Sequence, residues 1–249
     1  LLNEKQPVDI VPTFLGAHAT PPEYQNNPQE YVNLVIDEMI PAVAEQKLAE
    51  FCDVFCEKGV FNTTQSRNIL LNARKHGLKP KLHADELTNI GGAELAAEMK
   101  AVSAEHLNFA SDEGVRAMAK KEVVAVLLPS SAFSLMTGRY ADARKMMDLG
   151  VPVALGTDYN PSCWTETVLM VIALACHQMR MTPAEAISAT TINASHAVHR
   201  AQDVGSLESG KKADAIVLNI PNHRFLGYRF GVNLVDKVFK EGKLVFDCT

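Results

Sequence analysis

Several short apolar runs of this sequence end in a histidine or a carboxylate. The clearest is KPKLHADE (79–86), where an apolar run opens into His83, Asp85 and Glu86. Histidine and carboxylate groups are common protein ligands for zinc and iron, and a catalytic site keeps one position open for water. A neighbouring carboxylate can accept the proton of that water. The segment therefore suggests metal-assisted hydrolysis.

Other apolar runs end in similar residues: His18, Glu57, His106, Asp158 and Asn160. We interpret His83 and Asp158 as candidate metal ligands, with Glu86, three residues after His83, as the candidate base. A single histidine at a strand end is more often structural than functional. The hypothesis therefore depends on the combination rather than on any one residue.

The elements that must position these residues alternate between short apolar runs and segments of helical period. Candidate strands are 9–16, 52–57, 80–83, 105–108, 123–129 and 151–157, and candidate helices are 29–50, 64–76, 93–100, 112–120, 140–149, 166–179 and 183–199. This alternation predicts an α/β protein with parallel strands. Six βα units suit a three-layer sandwich or a (β/α)₈ barrel lacking two units. In a barrel, catalytic residues lie at the carboxyl ends of strands.

The sequence pattern changes in the last part of the chain, from residue 205 onward. GSLESGKKADAIVLNI and DKVFKEGKLVF consist of turn and strand segments with Gly and Lys at the turns. We therefore predict two domains, the α/β domain at 1–204 and part of a small β domain at 205–249.

Three further positions have structural interpretations. Lys81 and Asp85 are taken as structural charges. Glu57 is left between pairing with Lys81 and lining the mouth of the barrel. Cys52 and Cys56 lie on the same face of a strand and are interpreted as small packing groups.

Composition narrows the functional classes. The formal net charge is −5, and no run of Lys and Arg forms a phosphate-tracking surface, so a nucleic-acid partner is not expected. The longest apolar stretch, 168–176, is about half of what a membrane-spanning helix needs. Five scattered cysteines favour a reducing compartment, and the cytoplasm is the prediction. The chain begins without Met, which indicates processing or a piece of a longer protein.

Five motifs together resemble the imidazolonepropionase family of the amidohydrolase superfamily: TFLGAHATPPEY (13–24), HADEL (83–87), SAEHL (103–107), LGTDYNP (155–161) and GSLESGKKADAIVLN (205–219). The resemblance runs over nearly the whole chain in the right order. It implies a metal-dependent hydrolase barrel of the TIM type at 1–204, lacking its first strands, and the C-terminal part of a small β-sandwich at 205–249. It also implies hydrolysis of the cyclic amide 4-imidazolone-5-propanoate to N-formimino-L-glutamate in histidine degradation.

The resemblance also implies roles for individual residues. One divalent metal, zinc or iron, would be bound by His83 and Asp158. Glu86 would be the general base, and His106 would be a polarising partner near the reacting water. Asp158 would also be catalytic, because it would orient that water. The substrate would be contacted by His18, Asn160, Glu86 and Cys163.

Two departures from the family pattern stand out. Ser162 and Cys163 replace the Gly and Ser that usually follow the asparagine, and the His-x-His pair that completes the metal site is absent from this sequence. The chain therefore looks like a C-terminal portion. By itself it is expected to bind metal poorly and to be inactive.

Alternative functions remain open. The first is another cyclic amidohydrolase or an aminohydrolase of the same superfamily. The second is an inactive fragment or a binding protein. The family resemblance is also compatible with a homodimer.

Overall fold

The computed structural model describes residues 2–248, which form two compact units. The amino-terminal unit comprises residues 11–125 and 146–152. The carboxy-terminal unit comprises residues 2–10, 126–145 and 153–248. The predicted division at 204/205 stays a prediction.

The main sheet has six strands, ordered as they occur in the sequence: β1 (Thr13–Ala17), β2 (Phe51–Cys56), β3 (Lys79–Ala84), β4 (Ser103–His106), β5 (Val124–Leu127) and β6 (Val153–Leu155). The pairs β1–β2, β2–β3 and β3–β4 are parallel. All six strands coincide with predicted runs, although their ends differ by up to four residues.

Helices occupy the connections between strands and the region after β6: α1 (Pro28–Leu34), α2 (Ile40–Glu45), α3 (Thr63–Lys75), α4 (Gly92–Glu98), α5 (Asp112–Lys121), α6 (Pro129–Ser134), α7 (Ala143–Asp148), α8 (Val168–Gln178), α9 (Pro183–Thr190) and α10 (Ile192–Ala197). A π-helical turn, Val35–Met39, joins α1 to α2. Short 3₁₀ helices are Leu2–Glu4, Pro22–Tyr24 and His223–Gly227.

Two predicted helices have different forms in the structure. The segment 29–50 ends at Glu45, because the chain leaves the helix at Gln46 and Lys47, and Lys47 has φ +52°. The segment 183–199 is interrupted at Thr191, whose φ of −121° and ψ of −95° are not helical. The interruption separates α9 from α10.

Strand alternation places different residues on the two faces of the sheet in the amino-terminal unit. Cys52, Val54 and Cys56 are completely buried. Both α3 and α4 contact β3, and α3 also contacts β2. Burial raises the pKa of the Cys56 thiol to about 11. These cysteines are therefore packing groups, as predicted.

The opposite face carries polar side chains in register. Asp53 pairs with Lys81 and Lys81 with Ser103, while Phe55 pairs with His83 and His83 with Glu105. Parallel pairing without a shift aligns these residues in rows across the strands.

A separate antiparallel sheet lies in the carboxy-terminal unit, with the order β7 (Ala215–Leu218), β8 (Val235–Lys240) and β9 (Lys243–Asp247). Glu241 and Gly242 join β8 to β9 with positive φ angles of 51° and 76°, which suit a tight hairpin turn. This sheet corresponds to the predicted β segments after 205. Within residues 2–248, no helix combines the length and apolarity needed to cross a bilayer.

Candidate active site

His83 lies next to a buried carboxylate. Its Nδ1 is 2.7 Å from Oδ1 of Asp53, which is 2% exposed. Metal-binding histidines usually bond a carboxylate or carbonyl through one ring nitrogen and present the other to the metal. The Asp53–His83 pair has this arrangement.

Two histidine rings lie beside His83. The ring of His18 lies edge-on to His83 at a centroid distance of 4.6 Å, and that of His106 lies 5.3 Å away on an inclined plane. His18 also stacks on Phe55 at 5.2 Å. Three strand ends separated in sequence therefore converge on one place, as predicted.

Glu86 and His106 complete this cluster. Oε2 of Glu86 lies 3.6 Å from Nε2 of His106, and the two side chains are nearly buried. Burial lowers the pKa of His106 well below its usual value, and nearby His83 and His18 act in the same direction. The ring is therefore neutral near pH 7. A neutral imidazole can donate one hydrogen bond without adding positive charge.

The backbone around Glu86 is fixed by its neighbour Asp85. Asp85 is completely buried and has a positive φ of 49°, a conformation that Asp tolerates better than most residues. Its carboxylate accepts hydrogen bonds from the backbone N–H groups of Ile90, Gly92 and Ala93 at the start of α4. Asp85 is thus a helix cap that closes the loop, which agrees with the structural role predicted for it.

Residues after β4 hold the same segment from another side. Leu107 N–H donates to the Ala84 carbonyl and Phe109 N–H to the Asp85 carbonyl. The Asn108 amide donates to the Glu86 carbonyl at 3.2 Å.

Glu57 holds the part of the loop that directly follows Glu86. Its buried carboxylate accepts hydrogen bonds from the backbone of Lys58, Leu87 and Thr88 and from the Thr88 hydroxyl. Lys81, the partner considered for Glu57, instead lies 2.9 Å from Oε1 of Glu105. Of the two alternatives left open for Glu57, pairing with Lys81 is therefore not what the structure has. Charge alone could not show this, because Glu57 binds donors about 30 residues away in sequence.

Asp53, His83 and Glu105 form a group with metal-ligand chemistry, since each offers an atom within 4.8 Å of the others. One oxygen of Glu105 is already used, because Oε1 accepts a hydrogen bond from Ser103 at 2.6 Å and faces the Lys81 ammonium, whereas Oε2 is buried without a hydrogen-bond partner among the described residues. An ammonium beside this carboxylate disfavours a second cation there. The donor set around His83 fits a divalent metal. In this arrangement Asp53 orients the His83 ring and is not itself a metal ligand.

The remaining predicted site residues lie in the carboxy-terminal unit, in one loop. Asp158 follows β6 with a positive φ of 54°. The Asn160 amide donates to the Asp158 carbonyl, and its oxygen accepts from the N–H groups of Ser162 and Cys163. Cys163 is 1% exposed. Asn160 thus organises the loop that carries Asp158.

The cluster in the amino-terminal unit therefore contains His18, His83, Glu86 and His106, all of which the sequence predicted. Three supporting residues were not predicted in this role: Asp53, Glu57 and Asn108. A charge inside the apolar strand FCDVFC was the available signal for Asp53. Nothing in the local sequence indicates the contact of Asn108 with Glu86.

Comparison with known proteins defines the class. The sequence profile of the amidohydrolase family matches residues 47–245. The chain belongs to the amidohydrolase family.

Similarity to individual curated proteins is more specific than the family match. The chain is similar to the imidazolonepropionase of Alkaliphilus metalliredigens, with 57% identity over 247 residues that cover 99% of this chain and 58% of that protein. Against the imidazolonepropionase of Geobacillus kaustophilus, identity is 58% over 245 residues, covering 98% of this chain and 58% of that protein. The chain therefore spans less than two thirds of the length of these relatives.

Solved structures agree on the fold. An adenosine deaminase from Xanthomonas campestris superposes with a TM-score of 0.71 at 19% identity, covering 92% of this chain and 59% of that one. The A. niger ochratoxinase gives 0.66 at 23% identity, covering 84% and 54%. Together with the family match, the six-stranded sheet and the separate three-stranded sheet confirm the predicted fold class, a barrel-type amidohydrolase with part of a small β domain.

Proposed function

We propose that this chain forms part of an enzyme that hydrolyses 4-imidazolone-5-propanoate to N-formimino-L-glutamate. The observation that carries the proposal is the identity of 53% to 58% with imidazolonepropionases over 98% to 99% of the chain. The cluster around His83 and Glu86 supports it chemically.

The reaction adds water across the ring amide. The water oxygen bonds to the carbonyl carbon, the C–N bond breaks, and the departing ring nitrogen takes a proton. The protein must therefore bind the ring, remove a proton from water and return a proton to nitrogen.

A divalent metal, zinc or iron, would be held by His83 and Asp158. Asp53 supports this assignment through its bond to His83 Nδ1. Asp158 is assigned by its place in the LGTDYNP motif. When bound, such a metal supplies the Lewis acidity that makes water a nucleophile near pH 7.

Glu86 is the proton carrier of this mechanism. Its carboxylate would accept the proton of the attacking water and deliver it to the ring nitrogen. His106, neutral and 3.6 Å from Glu86, would donate a hydrogen bond to the oxygen on which negative charge develops. One such donor is commonly worth about 3 kcal/mol of transition-state stabilisation.

Substrate contacts are assigned to His18, Asn160 and Cys163, together with Glu86. His18 has the most direct support, because its ring lies 4.6 Å from the His83 ring and stacks on Phe55. Asn160 and Cys163 are assigned as substrate contacts by their place in the loop that carries Asp158.

A chimera tests the proposal. This chain is joined to the part of the Alkaliphilus metalliredigens relative that it does not match, and loss of imidazolonepropanoate is measured. Glu86→Gln should lower kcat by roughly 10²- to 10⁴-fold while metal content is retained. His83→Ala and Asp158→Ala should instead lose the metal.

The control for these variants is Glu113→Gln, at an exposed position in the first turn of α5, which should have no effect. Undiminished turnover in Glu86→Gln would reject its role as the base. A metal-loaded chimera that ignores this substrate but opens another cyclic amide would favour the alternative amidohydrolase activity.

Compartment and partners follow as further parts of the proposal. Five cysteines without disulfides among residues 2–248 support a reducing compartment, the cytoplasm. The partner is the small-molecule substrate. No nucleic-acid or membrane partner is proposed, and a homodimer is compatible with the resemblance.

A further inference from the structure

We propose that Glu57 is a positioning residue that fixes the direction of Glu86 by clamping the backbone immediately after it. This inference rests on the proposed function only for the role of Glu86. The clamp itself is a feature of the amino-terminal unit.

The acceptor capacity of Glu57 is completely used. An ionised carboxylate has about four acceptor sites. Oε1 accepts from Lys58 N–H at 2.8 Å and from the Thr88 hydroxyl, and Oε2 accepts from Leu87 N–H at 2.9 Å and Thr88 N–H at 3.3 Å. Three of these four bonds come from the two residues that follow Glu86.

Burial makes these bonds costly to lose. Glu57 is 1% exposed, and a buried charged group without hydrogen-bond partners is strongly unfavourable. Among the described residues, no cation lies within ion-pair distance of this carboxylate. The hydrogen bonds from Leu87 and Thr88 thus stabilise the buried carboxylate of Glu57. The same bonds hold the loop in place.

The clamp stands on a rigid base. Glu57 directly follows β2, and its N–H donates to the Phe61 carbonyl at 3.1 Å, while Val60 N–H returns a bond to the Glu57 carbonyl. Phe61 is completely buried, and Asn62 begins α3 with a capping box. A short turn anchored on both sides gives the Glu57 side chain a fixed origin.

The clamp also completes a set of constraints. The Asp85 side chain ties Asp85, the residue before Glu86, to the start of α4, and the Asn108 amide holds the Glu86 carbonyl. Glu57 is the constraint on the following side. With both neighbours and its own carbonyl held, the Glu86 backbone has little freedom, and the side chain keeps its place beside His106. Catalytic groups depend on such support, because a displacement of about 1 Å can cost about 10²-fold in rate.

The test compares three variants. Glu57→Gln keeps the size of the side chain but replaces one acceptor oxygen by an NH₂ group that faces N–H donors. Thr88→Val removes only the hydroxyl donor and leaves the buried charge, so it remains informative if Glu57→Gln folds poorly. Glu113→Gln is the matched exposed control.

The expected result has two parts. In this 249-residue chain, Glu57→Gln should accelerate hydrogen exchange at the Leu87 and Thr88 amides, and the ¹³C carboxyl resonance of Glu86 should shift or broaden. In the chimera, kcat should fall by about 10²-fold with KM and metal content unchanged. Thr88→Val should cause smaller changes in the same direction. The control Glu113→Gln should change neither the hydrogen exchange nor kcat.

The outcomes separate the two hypotheses. Faster exchange with an unchanged Glu86 resonance and an unchanged kcat would overturn the positioning role. Unchanged exchange at Leu87 and Thr88 would overturn the clamp. If the parent chimera does not turn over imidazolonepropanoate, the proposed function fails, while exchange and the Glu86 resonance still decide whether Glu57 positions Glu86.

Discussion

Replacing Asp53 tests how His83, the proposed metal ligand, acquires its orientation. The quantity to be measured is the metal affinity. Asp53 is 2% exposed and 2.7 Å from Nδ1 of His83. Hydrogen bonds to charged groups contribute about 1.5 to 3 kcal/mol. Loss of such an outer partner typically weakens metal binding about 10- to 100-fold, which is about 1.4 to 2.8 kcal/mol. The two ranges agree.

The two substitutions should be graded. Asp53→Asn keeps an oxygen that can accept from Nδ1 but loses the charge, so we expect roughly a tenfold loss of metal affinity. Asp53→Ala removes the acceptor entirely, and we expect the upper end, roughly 100-fold. The assay is competition with a chromogenic zinc chelator in the chimera, with thermal unfolding as the check that each variant is folded.

Glu105→Gln distinguishes two roles for the carboxylate of Glu105. It either neutralises Lys81 or binds the metal together with Asp53 and His83. If Glu105 serves to neutralise Lys81, Glu105→Gln should cost stability and leave metal affinity unchanged. Equal loss of affinity in Glu105→Gln and Asp53→Asn would mean that the metal lies among Asp53, His83 and Glu105. Wild-type affinity in both Asp53 variants would refute the orienting role.

Two further predictions concern stability. A Cβ on Gly92 would lie 2.9 Å from the Ala84 Cβ, so Gly92→Ala should cost about 1 to 3 kcal/mol in urea unfolding, whereas Gly59→Ala meets no atom within 4 Å and should lose only about 1 kcal/mol through its positive φ. The Arg144 guanidinium holds the pKa of Glu185 at about 2; because the pKa is depressed, this stabilisation is present above pH 4.5 and lost as pH falls toward 2. Since both side chains are about one-third exposed, we expect about 1 kcal/mol after screening, seen as a weaker acid dependence of unfolding in Arg144→Met; an identical dependence would contradict the assignment.

Most strands could be predicted from the sequence because each is a short apolar run bounded by turn residues. Helix boundaries were less accessible. Helix α6 was missed because Pro129 was taken as the end of a strand, whereas Pro at the first position starts a helix readily. The break at Thr191 has no Gly or Pro beside it that could have indicated it.

The site residues also differ in how well the sequence predicts them. His18, His83 and His106 could be found because parallel strands bring their carboxyl ends to one edge. Asp53 lies inside a strand, so its role depends on alternation and register with β3. The partners of Glu57 lie about 30 residues away, and no local pattern specifies such a contact.

The segment HADE gains its chemistry from where the strand ends. Strand β3 ends at Ala84, and the positive φ of Asp85 breaks the alternation that would otherwise govern the next side chains. Asp85 can then turn its carboxylate to the start of α4, while Glu86 faces His106. An acidic residue at 85 serves both needs, since it tolerates the left-handed conformation and caps the helix. Two adjacent acids thus have separate tasks, one holding the loop and the other available for proton transfer.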